Sequence, residues 1–163
     1  MKFIGIDPGL GGAVVIMNDS VVESVHRTPT VAIGKGAKRQ YNVPAMREIL
    51  EVATADDTLV AVEKVAAMPS DGKAGAFRFG MGYGLWLGLL AGLRLPHLDV
   101  LPQRWQARML AGHPRGPHTK TSAVAAFTAL FPSIPLAVKA DWGIADAGLL
   151  AEYARRIHRG DRI

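Results

Sequence analysis

Apolar and polar positions along this 163-residue chain follow two rhythms, one of period two and one close to 3.6. Residues 2–7 and 12–17 are rich in Phe, Ile, Val and Met, which favour strands, and the turn Pro8-Gly9-Leu10-Gly11 joins them. Asn18-Asp19-Ser20 turns the chain into a third strand, Val21 to His26, completing an antiparallel meander. Residues 28–41 have no period and carry Gly34, Lys35, Gly36, Lys38 and Arg39, which predicts a mobile basic loop. Asn42 is placed to cap a helix from about Pro44 to Ala53, with Met46, Ile49 and Leu50 on one face.

Thr58 to Glu63 (TLVAVE) is too short for a helix and reads as a central strand buried on both faces. A loop follows over roughly residues 64–76, then a helix near Phe77 to Leu93 and a short strand, His97 to Val100. Further helices are predicted near Gln103–Leu110, Thr119–Leu130 and Gly143–His158, with a break at His113-Pro114-Arg115-Gly116-Pro117. These elements give an α/β class: a mixed sheet flanked by helices in one domain spanning residues 1–163, without an internal repeat.

Composition narrows the class. A chain with 49% hydrophobic and 20% charged residues is globular rather than disordered. The richest apolar stretch, Met81 to Leu95, is short and broken by glycine, so it reads as a buried helix and no membrane partner is expected. With no cysteine there are neither disulfides nor thiolate metal ligands. MKFIGID lacks the layout of a signal peptide, and the expectation is a cytoplasmic protein of a bacterial or phage-infected cell, or of an organelle. Nineteen Lys and Arg against fourteen Asp and Glu leave a charge of +5, compatible with nucleic-acid binding or with an ordinary basic surface.

Three acids stand where the pattern calls for something else. Asp7 ends the first strand before Pro-Gly, with Gly9, Gly11 and Gly12 allowing a substrate backbone to approach; on this tripeptide alone, a turn-capping Asp has the stronger claim. Glu63 closes an apolar strand, where a charge is costly unless it is paired or bound to a cation. Lys64 points to the opposite face and is a poor partner, so a distant Arg or Lys is the alternative. Asp146 precedes Leu149, Leu150, Tyr153 and Ile157 by three, four, seven and eleven residues, which puts it on the inward stripe of the last helix. Asp141 would point about 140° away on a continuous helix, so it is expected to reach the same spot from the preceding loop or to cap the helix. Carboxylates gathered within about 4 Å repel by about 4 kcal/mol per pair at an effective dielectric near 20. Mg²⁺ or Mn²⁺ relieves that repulsion, and two such ions suit phosphodiester cleavage.

Four blocks, FIGIDPGLGGA, VEKVAAMPSDGKAGAFRFGMGYG, LPQRW and FPSIPLAVKADWGIADAGLLAEYARR, resemble in order the RuvC-type Holliday junction resolvases, with the phage and chloroplast-like branch nearer than the housekeeping enzyme. The resemblance implies an RNase H-like mixed five-stranded sheet, a homodimer, and paired symmetric nicks in four-way DNA junctions. It also implies Mg²⁺ or Mn²⁺, two ions per site, held by Asp7, Glu63, Asp141 and Asp146. Some relatives carry an acid or histidine three residues before the last Asp; here that position is Gly143. Trp142 and Ile144 stand where relatives often have a polar and a basic residue.

Candidate DNA contacts are Lys73, Phe77 and Arg78 after Glu63, Arg104 and Arg108 one turn apart, Arg115 and Lys120 with His118 near a helix start, and Lys139. Aromatic and apolar groups beside cations, Met68 and Pro69 included, can stack on bases or wedge a branch point. Phe77 reads equally as the start of a buried helix, and Phe79 is expected inside. Gly80, Gly84, Gly88 and Gly92 recur every four residues at about 1 kcal/mol each against Ala, which calls for a close contact with the sheet or with a second subunit. Rival activities are an RNase H-like nuclease acting on RNA or on other branched DNA, and a phosphotransferase of the actin and sugar-kinase kind.

Overall fold

A computed structural model describes residues 1–36, 38–53, 57–66, 72–137 and 140–161. Strands β1 (Lys2–Asp7), β2 (Ala13–Asn18) and β3 (Val21–Arg27) form the expected meander. β6 (Thr58–Glu63) and β7 (His97–Val100) complete a five-stranded sheet of order β3-β2-β1-β6-β7. β1 pairs antiparallel with β2 but parallel with β6, and β6 pairs parallel with β7, so the sheet is mixed as predicted.

Period-two alternation sorts the strand residues onto two faces. Ile4, Ile6, Val14, Ile16, Val60 and Val62 pack against α1 (Val43–Ala53) and α2 (Gly72–Gly92) through Met46, Leu50, Trp86 and Leu90. Phe3, Ala13, Val15, Met17 and Ala61 pack on the other side with α3 (Pro102–Met109), α4 (Thr119–Leu130) and α5 (Trp142–Arg159). Helix α5 lies directly on β1, because Gly5 presents no side chain there; a Cβ would overlap the backbone of Ala147 and Ala151. No helix among the described residues is long and apolar enough to cross a membrane.

Four expectations change. Residues 28–41 are not a structureless loop: β4 (Thr30–Ala32) and β5 (Arg39–Tyr41) pair antiparallel as a separate hairpin. Its three-residue strands are too short and polar to leave a periodic signal. Helix α2 starts at Gly72, five residues before the expected Phe77, since Gly72 adopts a left-handed φ of 62° and the following Lys-Ala-Gly-Ala has no apolar stripe to mark it. Phe79 is 45% exposed and Phe77 71% exposed, because the sheet-facing side of α2 runs through Gly82, Trp86 and Leu90. Ile157, expected on the inward stripe of α5, is 38% exposed near the helix end, while Leu149, Leu150 and Tyr153 are buried.

Candidate active site

Strand register brings the first two acids side by side. Ile6 is opposite Val62 in the parallel β1–β6 pair, so Asp7 and Glu63 are the next residues at the same carboxyl edge. Neighbouring strands lie about 4.8 Å apart. Alternation then sets direction: Asp7 shares its face with Phe3 and Gly5, and Glu63 shares its face with Ala61. Phe3 and Ala61 belong to the core beneath α5, so both carboxylates face that helix. Asp146 approaches from α5 itself, in its second turn, and lines one pocket of about 430 Å³ with Asp7, Lys120, Tyr41 and the Gly9–Gly12 turn.

The close seating of α5 depends on Gly143. A Cβ there would stand 2.6 Å from the Gly11 carbonyl oxygen and 2.7 Å from Gly12 Cα, nearer than Cβ atoms come. A side chain at 143 would therefore push the helix, and Asp146 with it, away from the turn. Gly12 is constrained by Asp7 instead, since its Cβ would lie 2.9 Å from Asp7 Cγ and nearer still to the Asp7 carbonyl oxygen.

Burial raises all three acids, and repulsion from neighbouring carboxylates adds to the rise at Glu63 and Asp146. Burial raises the Asp7 pKa, and the Gly9 N–H, donating to Oδ1 at 3.2 Å, and the Lys120 charge offset part of the rise. Burial and then the Asp7 charge push Glu63 up to about 7, against a hydrogen bond donated by Trp105 Nε1 to Oε1 at 2.9 Å. Asp146 is raised well above its ordinary value by burial and then by Asp7 and Glu63, with Lys120 opposing. Half-buried carboxylates raised by desolvation and, for two of them, by a neighbouring acid's charge are a donor set that a hard divalent cation would stabilise. Among the described residues, no three metal-binding side chains are already drawn into one ligand set.

The backbone is similar to that of Thermus thermophilus RuvC, with a TM-score of 0.60 and 19% identity over 99% of this chain and 98% of that one. RuvC from T. thermophilus in complex with a Holliday junction substrate gives 0.59 and 15% identity, covering 99% and 97%. The fold is that of RuvC. No family model matches the sequence, and neither does any curated protein.

On this RuvC fold Asp141 has partners of its own. It occupies the N-cap position of α5 without a side-chain cap bond. Oδ1 pairs with Arg27 of β3, and Oδ2 accepts from the Ala137 N–H at 2.6 Å. The charges that act on Asp146 are those of Asp7, Glu63 and Lys120.

Of the expected DNA contacts, Arg78 and Lys120 line the acidic pocket, as does Phe79. Lys120 Nζ lies 4.4 Å from the centre of the Trp142 ring. Lys73, Phe77, Arg104, Arg108 and Arg115 are exposed, and Arg108 sits 5.8 Å above the Tyr153 ring. Lys139, Met68 and Pro69 lie outside the described residues. Trp105 and Tyr41 were not singled out from sequence. Trp105 shows only an inward position on α3, and its bond to Glu63 spans 42 residues. The Tyr41 hydroxyl donates to the Pro8 carbonyl at 3.3 Å behind the acidic turn, a contact with no local signature.

Proposed function

We propose that residues 1–163 form one metal-dependent nuclease domain that nicks four-way DNA junctions in pairs, a resolvase of the phage and chloroplast-like branch. The observation that carries this reading is the convergence of Asp7, Glu63 and Asp146 on one edge of a RuvC-fold sheet, each raised by burial and two of them by the others' charge. The solved RuvC of the same fold bound to a Holliday junction supports the choice of DNA substrate.

Asp7, Glu63 and Asp146 would hold Mg²⁺ or Mn²⁺. Two such ions supply an activated water and stabilise the oxygen that leaves. The chain's own groups do the positioning. Trp105 fixes one oxygen of Glu63 and leaves the other to hold an ion. Gly9, Gly11 and Gly12 keep the rim low enough for a phosphodiester to approach. Lys120 holds positive charge beside Asp7 and Asp146, where the scissile phosphate must come. Arg78 and Phe79 border the same pocket, where they would contact the strand. Lys73, Phe77, Arg104, Arg108 and Arg115 carry adjoining arms, and Lys139 belongs to the same proposal.

Two nicks on opposed strands require two sites, so the working unit is a homodimer. Gly80, Gly84, Gly88 and Gly92 are exposed on α2 and a Cβ at any of them would meet no described atom within 4 Å. The described sheet is therefore not the contact that offsets their cost, which supports a second subunit on this face. The test offers four-way junction, linear duplex and RNA hybrid to the purified protein with Mg²⁺. Asp146→Asn should bind the junction and leave it uncut; cutting at the wild-type rate refutes the site.

A further inference from the structure

The β4–β5 hairpin lends only Tyr41 to the acidic pocket, yet it walls a cavity of about 890 Å³ beside that pocket. Arg27, Lys38, Arg39 and Arg78 line it, and no described lining residue is acidic. Arg27 spends its charge on Asp141. Lys38, Arg39 and Arg78 make no ion pair among the described residues; Arg39 Nε donates to Thr30 Oγ1 at 2.6 Å and Arg78 Nε to the Ala74 carbonyl at 3.2 Å, both neutral acceptors. Three unmatched cations around one concavity repel, and an anion is what that field selects. Thr28, 5% exposed, also lines the cavity, and its hydroxyl has no hydrogen-bond partner among the described residues.

The cavity is continuous with the acidic pocket. Leu10, Gly11, Gly12 and Arg78 line both. A strand with one phosphate at Asp7 and Asp146 can pass over the glycine turn, with its next phosphates facing Lys38 and Arg39. We propose that this groove is a second binding surface, for the phosphodiester backbone of DNA leaving the acidic pocket. It rests on the nuclease reading, and it gives the hairpin a function: it holds the substrate by charge, without reading bases.

The test is the salt dependence of binding. Labelled four-way junction is titrated with protein in Ca²⁺, over 50 to 200 mM salt, by fluorescence anisotropy. Losing two phosphate contacts in Lys38→Ala/Arg39→Ala should weaken binding roughly 10-fold and flatten the slope of log K against log salt by about 2. Arg39→Lys, which keeps the charge but not the bond to Thr30, should keep the wild-type slope. Arg47→Ala removes one charge from exposed α1 and should move neither value. A double variant with wild-type affinity and slope overturns the groove, as does an equal change in Arg47→Ala. Wild-type protein that fails to bind or cut the junction overturns the nuclease reading and the groove with it; wild-type protein that binds and cuts beside an unaltered double variant sinks the groove alone.

Discussion

Glu63→Gln removes one charge from the acidic cluster while keeping its shape. The Gln carbonyl can still accept the Trp105 N–H now given to Oε1 at 2.9 Å, so packing and hydrogen bonding survive and only the charge is lost. Folding raises Glu63 from 4.5 to about 7. The folded state then binds the proton more tightly than the unfolded chain, and metal-free protein loses stability as pH rises from about 4.5 through about 7. At about 1.36 kcal/mol per pH unit, the full cost is about 3 kcal/mol above that window. In EDTA at pH 8, Glu63→Gln should therefore be more stable than wild type by up to about 3 kcal/mol, with a Tm higher by about 2–4 °C per kcal/mol. At pH 4 the two should match. Urea unfolding followed by circular dichroism at both pH values measures this. Mg²⁺ at about 1,000 times its Kd should reverse the order, since it then adds about 4.1 kcal/mol to the protein that binds it. A variant equal to or less stable than wild type at pH 8 in EDTA would refute the claim that Glu63 is held at an energetic cost.

Lys120→Ala removes the cation that lowers Asp7 and Asp146, so their pKa values should rise further and the pH profile of single-turnover cutting should move up; Lys120→Arg should restore it. Asp141→Asn keeps the acceptor for Ala137 but loses the Arg27 charge pair. It should cost roughly 1–3 kcal/mol in chemical unfolding and retain cutting within several-fold; abolished cutting at unchanged stability would place Asp141 among the metal ligands. Gly143→Ala sets a Cβ against Gly11 and Gly12, which should cost roughly 1–3 kcal/mol and lower cutting together with Mg²⁺ affinity, read by isothermal calorimetry.

The sheet was legible because each strand of the meander and TLVAVE has an apolar run bounded by turn residues. The acids were legible for a related reason: Glu63 and Asp146 each put a charge in an apolar pattern, and the β1–β6 register then places Asp7 beside Glu63. What sequence could not show is contact across distance. Trp105 reads only as an inward aromatic on α3, Arg27 only as the end of a strand, and neither position names its carboxylate partner. Gly143 reads as the lack of a ligand until α5 is docked, when it becomes the contact that lets the helix close on the glycine turn. Hairpin β4–β5 left no period because paired backbone, rather than an apolar face, holds it. Phe79 reads as buried and Phe77 as ambiguous because α2 is apolar nearly all round; Trp86 and Leu90 take the sheet and leave both rings exposed.

The central claim is that three half-buried carboxylates on a RuvC fold cut branched DNA through a divalent ion. The most direct measurement gives the purified protein a labelled four-way junction and the matching linear duplex, each with Mg²⁺, Mn²⁺ or EDTA. The account predicts paired nicks in the junction with either metal, none in EDTA, none with Asp146→Asn, and little cutting of the duplex. Equal cutting of the duplex, cutting that survives EDTA, or an intact junction with both metals would contradict it.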